Sequence, residues 1–309
     1  MKRILPLARL GLSAVPSPVP RRQRQLAGRH ALVDGIPFEL PVDSIDTPAL
    51  MAGFTIDREA AARMLPGGEL HPVALPGGKG LLVITVVNYL RTDIGRYIEY
   101  SIAIACTHGR RPAPPLLPGL LRGRFGTGQY VVDLPVSSEI SVKGGKGIWG
   151  MPKHQANLDF KVGESAVSSQ YEVGGQLGMY IEIERPPATA LPLRVGTVNY
   201  CAFRGMLMKS FIYFDGKADV ALGKRARARL VLGNAPQVAG LHDLRISTDP
   251  LFTVYLTSAQ GVLDDHFECW FLTSEEPGRM YGEPLSSVID LGLSQDWPEP
   301  PRIDVGAGS

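Results

Sequence analysis

The run Gly147-Ile148-Trp149-Gly150-Met151-Pro152-Lys153-His154 holds the residue with the most chemistry to offer. A lysine is a nucleophile only as the neutral amine. Its ordinary pKa near 10.4 leaves almost all of it charged at pH 7, and lowering that by three to four units costs roughly 4–5.5 kcal/mol of differential solvation. Burial against apolar groups supplies such a shift, and a neighbouring cation adds to it. Trp149, Met151 and Pro152 crowd Lys153 with apolar surface, and His154 follows as a titratable neighbour. Pro152 also restricts the backbone just before the lysine, which helps to aim its side chain. The chemistry so assembled is attack on a carbonyl carbon to give a Schiff base. The same residues also suit a surface lysine at the start of a strand.

Schiff-base chemistry needs a proton carrier nearby. Glu99 lies in Tyr97–Ala105, where Ile98, Tyr100, Ile102 and Ile104 alternate with Tyr97, Glu99, Ser101 and Ala103. In a strand the first set shares one face. Tyr97 and Glu99 then share the less apolar face, as pocket-lining residue and proton carrier. An outward-facing carboxylate is the alternative. Glu139 is a second, weaker acid. Other groups offer less. Gly144-Gly145-Lys146-Gly147 lacks the spacing and the Ser/Thr of a phosphate loop. Asp264, Asp265, His266, Glu268 and Cys269 mix hard carboxylates with a thiol, which fits no common metal ligand set, and read as solvated loop and strand residues. His30, His71, His108 and His242 are scattered, and Ser137 and Ser138 lack a nucleophile elbow.

The elements that must position these residues read mainly as strands. Leu81–Leu90, Tyr97–Ala105, Tyr130–Leu134, Asn157–Val162, Gly178–Glu184, Phe211–Phe214, Ala226–Leu232 and Leu251–Leu256 carry strand patterns. Asp215-Gly216 between apolar runs is a hairpin signal. One helix is readable, capped by Asp57, carried by Arg58–Leu65 and ended by Pro66-Gly67-Gly68. Many short strands with turn punctuation indicate a barrel or a sandwich. Residues 1–35 read as a basic, irregular extension, 36–295 as one domain and 296–309 as a loose tail. The arm holds Lys2, Arg3, Arg9, Arg21, Arg22, Arg24 and Arg29 in its first 30 residues and no acid. That suits a solvated arm, or one packed on a partner subunit or an anionic surface.

The chain has 309 residues, long enough for a sizeable core without staples. A net charge of +2 argues against a dedicated nucleic-acid surface. No run reaches the 18 apolar residues or so that a spanning helix needs, so a cytoplasmic protein without a membrane partner is expected. Cys106, Cys201 and Cys269 form neither a disulfide framework nor a zinc spacing and read as buried free thiols. Arg225, Arg227 and Arg229 share one strand face, read as solvent-exposed, with a subunit contact or an anionic group as the alternative.

Gly150-Met151-Pro152-Lys153-His154 resembles the signature of the acetoacetate decarboxylase superfamily, whose Pro-Lys step carries the Schiff-base lysine. Val136-Ser137-Ser138-Glu139 resembles the stretch before that step. Gly95-Arg96-Tyr97-Ile98-Glu99 resembles the segment bearing an active-site glutamate, and Asn199-Tyr200 to Asp215-Gly216 resembles a later strand pair. These matches are collinear and span roughly residues 40 to 290. The resemblance implies a closed, mostly antiparallel β-barrel with a few flanking helices, homo-oligomers, and no metal or bound cofactor. It implies a lyase acting on a small-molecule carbonyl substrate, by β-keto acid decarboxylation first. Aldolase–dehydratase chemistry through the same iminium is the alternative within it, and a non-catalytic binding barrel the alternative outside it. The sequence departs from the family pattern at His154, where a second lysine is expected, and at Thr47, where an arginine is expected. It departs again at Ile84 or Thr85, in place of a second glutamate, and at Gly145-Lys146-Gly147, in place of Gly-Arg-Glu. His154 would press on Lys153 less strongly than a lysine, and in a pH-dependent way.

Overall fold

In the computed structural model residues 29–272 are described; the basic arm before Arg29 and the expected C-terminal tail lie outside them. Seven strands close a barrel: β1 (Ala49–Asp57), β2 (Lys79–Tyr89), β3 (Tyr97–His108), β4 (Gly128–Val136), β5 (Leu191–Phe203), β6 (Met206–Leu222) and β7 (Pro250–Phe271). The hydrogen-bonded order is β4-β5-β6-β7-β1-β2-β3, and β3 pairs back to β4 to complete the ring. Every pairing is antiparallel except β4 with β5, which meet in parallel over Gln129–Tyr130 only. The fold is therefore the expected mostly β, closed barrel.

A second antiparallel sheet covers one outer flank. Its strands are Asn157–Leu158, Lys161–Val162, Ala166–Val173, Gln176–Glu184 and Ala228–Leu232. The strand expected over Asn157–Val162 is thus two short pieces, both paired with Ala166–Val173. The core lies between this sheet and the barrel wall, where Ile84, Tyr100, Ile102 and Ile104 meet Val167, Tyr171 and Ile181. Tyr100 and Tyr171 touch edge to face at 5.2 Å. The Ile98–Ile104 set thus turns outward to the core, and the opposite face of β3 turns to the barrel lumen.

Helix α1 (Arg58–Met64) is capped as expected, with Asp57 accepting from Ala60 N–H at 2.9 Å. A short helix, α2 (Leu117–Leu120), follows β3. A third, α3 (Glu139–Trp149), was not expected, since three glycines in eleven residues make a poor helix sequence. Ser138 caps its start by accepting from Ser141 N–H, and Gly150 ends it at φ 64°, where a side chain would be strained.

Three further expectations are corrected. The chain is already paired before Ile36: Arg29–Val33 and Ile36–Leu40 form a hairpin on an Asp34-Gly35 turn, a two-residue pair that suits the positive φ of both positions. Asp215-Gly216 is not a turn but mid-strand in β6, with Asp215 buried and 3.1 Å from Arg194. The β5–β6 turn is Arg204-Gly205, both at positive φ. Cys106 and Cys201 are buried free thiols, but Cys269 is exposed, because it lies near the end of β7 beyond the barrel's packed region. Arg225, Arg227 and Arg229 are exposed.

Candidate active site

β4 leaves β5 beyond Tyr130, and the short strand Lys153–Gln155 takes up its free edge in parallel, with Lys153 opposite Leu134 and His154 opposite Pro135. Leu134 faces the lumen, and Lys153 lines an alcove beside it. The lysine is only 3% exposed. Its Nζ lies 2.7 Å from Glu99 Oε2 and donates to Ser141 Oγ at 2.9 Å. It stands 5.4 Å from the centre of the Tyr97 ring. Glu99, 9% exposed, takes a second contact from Tyr89 O–H at 3.5 Å. Tyr89 and Tyr97, directly paired across β2 and β3, stack at 4.6 Å. Burial, reinforced by the Glu99 charge, holds both phenols well above their ordinary pKa of 10, so both are neutral. Burial also pushes the Cys201 thiol up to about 12, with the Lys153 charge working against it.

Helix α3 makes room for the lysine at Gly145. A Cβ there would lie 2.4 Å from Lys153 Cδ, well inside contact distance, so only glycine lets the side chain pass. Ser141, one turn earlier on α3, fixes its tip. The amine sits in an alcove of about 40 Å³ lined by Tyr97, Glu99, Ser141, Trp149 and Met151, among others. Beyond it, a cavity of about 380 Å³ occupies the barrel lumen, and the two share the walls Tyr89, Glu99, Met151, Ile212 and Phe214. Thr47 and Thr85 line the larger cavity, and Ile84 is in the outer core, so the position left open between Ile84 and Thr85 is Thr85 on the lumen side.

The structure thus brings together Lys153, Glu99, Tyr97, Trp149 and Met151 and separates the other sequence-selected residues. Trp149 is anchored by donating from Nε1 to the Asp264 carbonyl at 3.0 Å. Pro152 is half-buried and lines neither cavity. Glu139 points to solvent and pairs with Lys143 at 3.5 Å, because the first turn of α3 is turned away from the lysine there. His154 faces the opposite side of its strand from Lys153, as the two-residue period requires. Its Nε2 lies 2.8 Å from Asp133 Oδ1, whose other oxygen accepts from Tyr171 O–H at 2.8 Å. Burial disfavours the imidazolium, but the Asp133 hydrogen bond and charge outweigh it and hold His154 above its ordinary 6.5. His154 therefore serves the outer core rather than the amine. Asp264 and Asp265 are not solvated: Asp264 is buried with its Oδ1 accepting from His266 N–H, and Asp265 pairs with Arg29.

Ser141, Tyr89, Asp133 and Gly145 were missed by sequence reasoning. Tyr89 could have been found from pairing the two tyrosine-bearing strand ends, and Ser141 from the Ser138 cap three residues before it. No group of three or more His, Cys, Asp or Glu able to hold a metal occurs among the described residues, and no helix among them is long and apolar enough to cross a membrane.

The acetoacetate decarboxylase (ADC) family model matches residues 27–188. No curated protein sequence matches the chain. Among solved structures, an acetoacetate decarboxylase is similar at 15% identity and TM-score 0.54, covering 76% of this chain and 91% of that one. The acetoacetate decarboxylase of Legionella pneumophila is similar at 13% identity and TM-score 0.53, covering 85% and 95%. The enduracididine biosynthesis enzyme MppR, complexed with the condensation product of pyruvate and imidazole 4-carboxaldehyde, is similar at 15% identity and TM-score 0.52, covering 74% and 88%.

Proposed function

Because the chain belongs to the acetoacetate decarboxylase family of carbonyl-processing enzymes, we propose that it is a carbon–carbon lyase working through a Schiff base on Lys153. The observation that carries this is a buried amine 2.7 Å from one carboxylate and 2.9 Å from one hydroxyl, beside a cavity. Glu99 takes a proton from Nζ, and the freed amine attacks the carbonyl carbon. The resulting alkoxide takes one proton from the attacking nitrogen and a second from protonated Glu99, leaves as water and gives an iminium. With a β-keto acid, the bond to the carboxylate then breaks, its electron pair enters the iminium, and carbon dioxide leaves. Glu99 then takes a proton from solvent and passes it to the enamine carbon, and hydrolysis of the iminium by water restores the lysine. The apolar wall favours a step in which a carboxylate becomes neutral carbon dioxide.

A second reading is aldol or dehydratase chemistry through the same iminium. It is favoured by Thr47 and Thr85 on the cavity wall, in place of an arginine and an acid that would handle a carboxylate. It also agrees with the condensation product held by MppR.

The test is borohydride trapping. The protein is incubated with a panel of β-keto and α-keto acids, reduced, and mapped by mass spectrometry, with carbon dioxide release measured in parallel. A reduced adduct on Lys153, absent from Lys153→Ala, is expected. No adduct with any carbonyl compound up to about pH 9 would leave only a binding barrel. Adducts without carbon dioxide release would select the second reading.

A further inference from the structure

The larger cavity is far roomier than a three- or four-carbon acid requires, and its wall chemistry says what fills it. Among the described residues two charged ones line it: Glu99, already engaged by Lys153, and Arg122, which is exposed at the rim and donates to the Gly196 carbonyl at 3.2 Å. The polar side chains between them are mostly committed to the protein. Thr47 donates to the Ala259 carbonyl at 2.8 Å, Thr197 to the Ile212 carbonyl at 3.3 Å, and Gln129 to Asn199 Oδ1 at 2.8 Å. With their protons so directed, the threonines offer the lumen mainly their methyl groups, among Val83, Val87, Leu193, Val195, Val254 and Leu256. A charged or hydroxyl-rich ligand would lose its hydration there with few partners to replace it.

We infer that the substrate is a carbonyl compound with a long apolar tail, its carbonyl carbon at Lys153 and its tail along the barrel lumen past Glu99 and Tyr89. This rests on Lys153 being the carbonyl-binding amine. Val83, Thr85, Val87 and Tyr89 face the lumen in succession along β2. Six residue steps at about 3.3 Å, reduced by the usual barrel tilt, give a channel of roughly 15 Å, which an extended chain of roughly eight to twelve carbons would span. Unbranched or aryl-ended alkyl ketones and keto acids meet this description, and three- to four-carbon keto acids leave the lumen empty.

The experiment is borohydride trapping with a homologous series of methyl ketones from 2-butanone to 2-undecanone, read as the half-saturating concentration for the Lys153 adduct. Each methylene that enters the lumen should tighten it about threefold to fourfold, so the span from 2-butanone to 2-octanone should reach about 80- to 250-fold. Val83→Phe, which narrows the lumen six residues along β2 from Tyr89, should abolish the gain for the longest members while the gain over the first methylenes persists. Half-saturation flat within threefold across the series, or rising with length, would overturn the inference while leaving the Schiff base intact. Adduct failure with every ketone is separated by a second measurement, thermal stabilisation of Lys153→Ala by 1-decanol. A rise in Tm there supports the tail channel without the covalent step, and no rise overturns the channel as well.

Discussion

Three side chains decide what happens at Lys153: Glu99, Ser141 and Tyr89. Glu99 is the charge partner 2.7 Å away and, in the proposed reaction, the proton acceptor. Glu99→Gln keeps the shape and the hydrogen-bonding capacity but removes the base. The Lys153 trapping rate should fall by about 10²–10⁴, the range for a positioned acid–base group; a fall under threefold would move proton transfer elsewhere. Ser141 does a different task, accepting from Nζ at 2.9 Å and fixing its direction. Ser141→Ala removes one hydrogen bond to a charged group, a contribution of about 1.5–3 kcal/mol. Trapping should slow roughly 10- to 100-fold, with the pH profile keeping its shape because the base is untouched. A displaced profile would mean that the serine acts on the proton rather than on position. Glu99 was legible because strict alternation on β3 gives every second residue to one face. Ser141 was harder to read, because its neighbours Gly144, Gly145 and Gly147 argue against the helix and outweigh the cap signal of Ser138.

Those same glycines are what the element needs. Helix α3 must lie against the lysine stem, and a Cβ at Gly145 would stand 2.4 Å from Lys153 Cδ. Alanine suits a helix interior better than glycine by about 1 kcal/mol, so helix propensity works in favour of Gly145→Ala and the clash works against it. The expected result is a folded protein, by circular dichroism, whose lysine is displaced from Glu99 and whose trapping falls at least about tenfold. Retention of full trapping would show that the stem can move aside. On the short strand Lys153–Gln155 the governing fact is the two-residue period. The motif Pro152-Lys153-His154 could be read from sequence, but the separation of its members could not, since that depends on the strand docking at the edge of β4. His154 turns to Asp133, which holds its pKa above 6.5. A raised folded value means the pair stabilises the fold in full below the unfolded value near 6.5 and stops doing so as pH rises through the folded value. The Tm deficit of His154→Asn should therefore be larger at pH 5.5 than at pH 9. The onset of trapping with pH should be unchanged in the same variant, because His154 faces away from the amine.

At the scale of the molecule, the barrel strands beneath the second sheet divide their labour by parity: one face builds the core with that sheet, and the other leaves the lumen open. The barrel-or-sandwich ambiguity in the sequence had a physical basis, because the molecule has both a closed ring and a sheet stacked on its flank, and alternation alone does not reveal which strands close. Closure depends on β3 pairing with β4 and on β4 meeting β5 for two residues before Lys153 takes over that edge. The division makes neighbouring residues behave differently. Ile102 is fully buried between the barrel and Val167, Tyr171 and Ile181, whereas Ser101, one step along β3, lines the lumen. Ile102→Ala removes packed atoms from a region that cannot collapse freely and should cost about 2–5 kcal/mol in denaturant unfolding. Ser101→Ala takes a hydroxyl from a wall that already borders open space and should stay within about 0.5 kcal/mol. In binding the order reverses: Ser101→Ala makes the channel more apolar and should tighten long-chain ketones relative to short ones, and Ile102→Ala should leave that ratio unchanged wherever the protein is folded. Equal stability losses from the two substitutions would mean the lumen is packed in solution, and the channel would then have to be formed by the ligand that enters it.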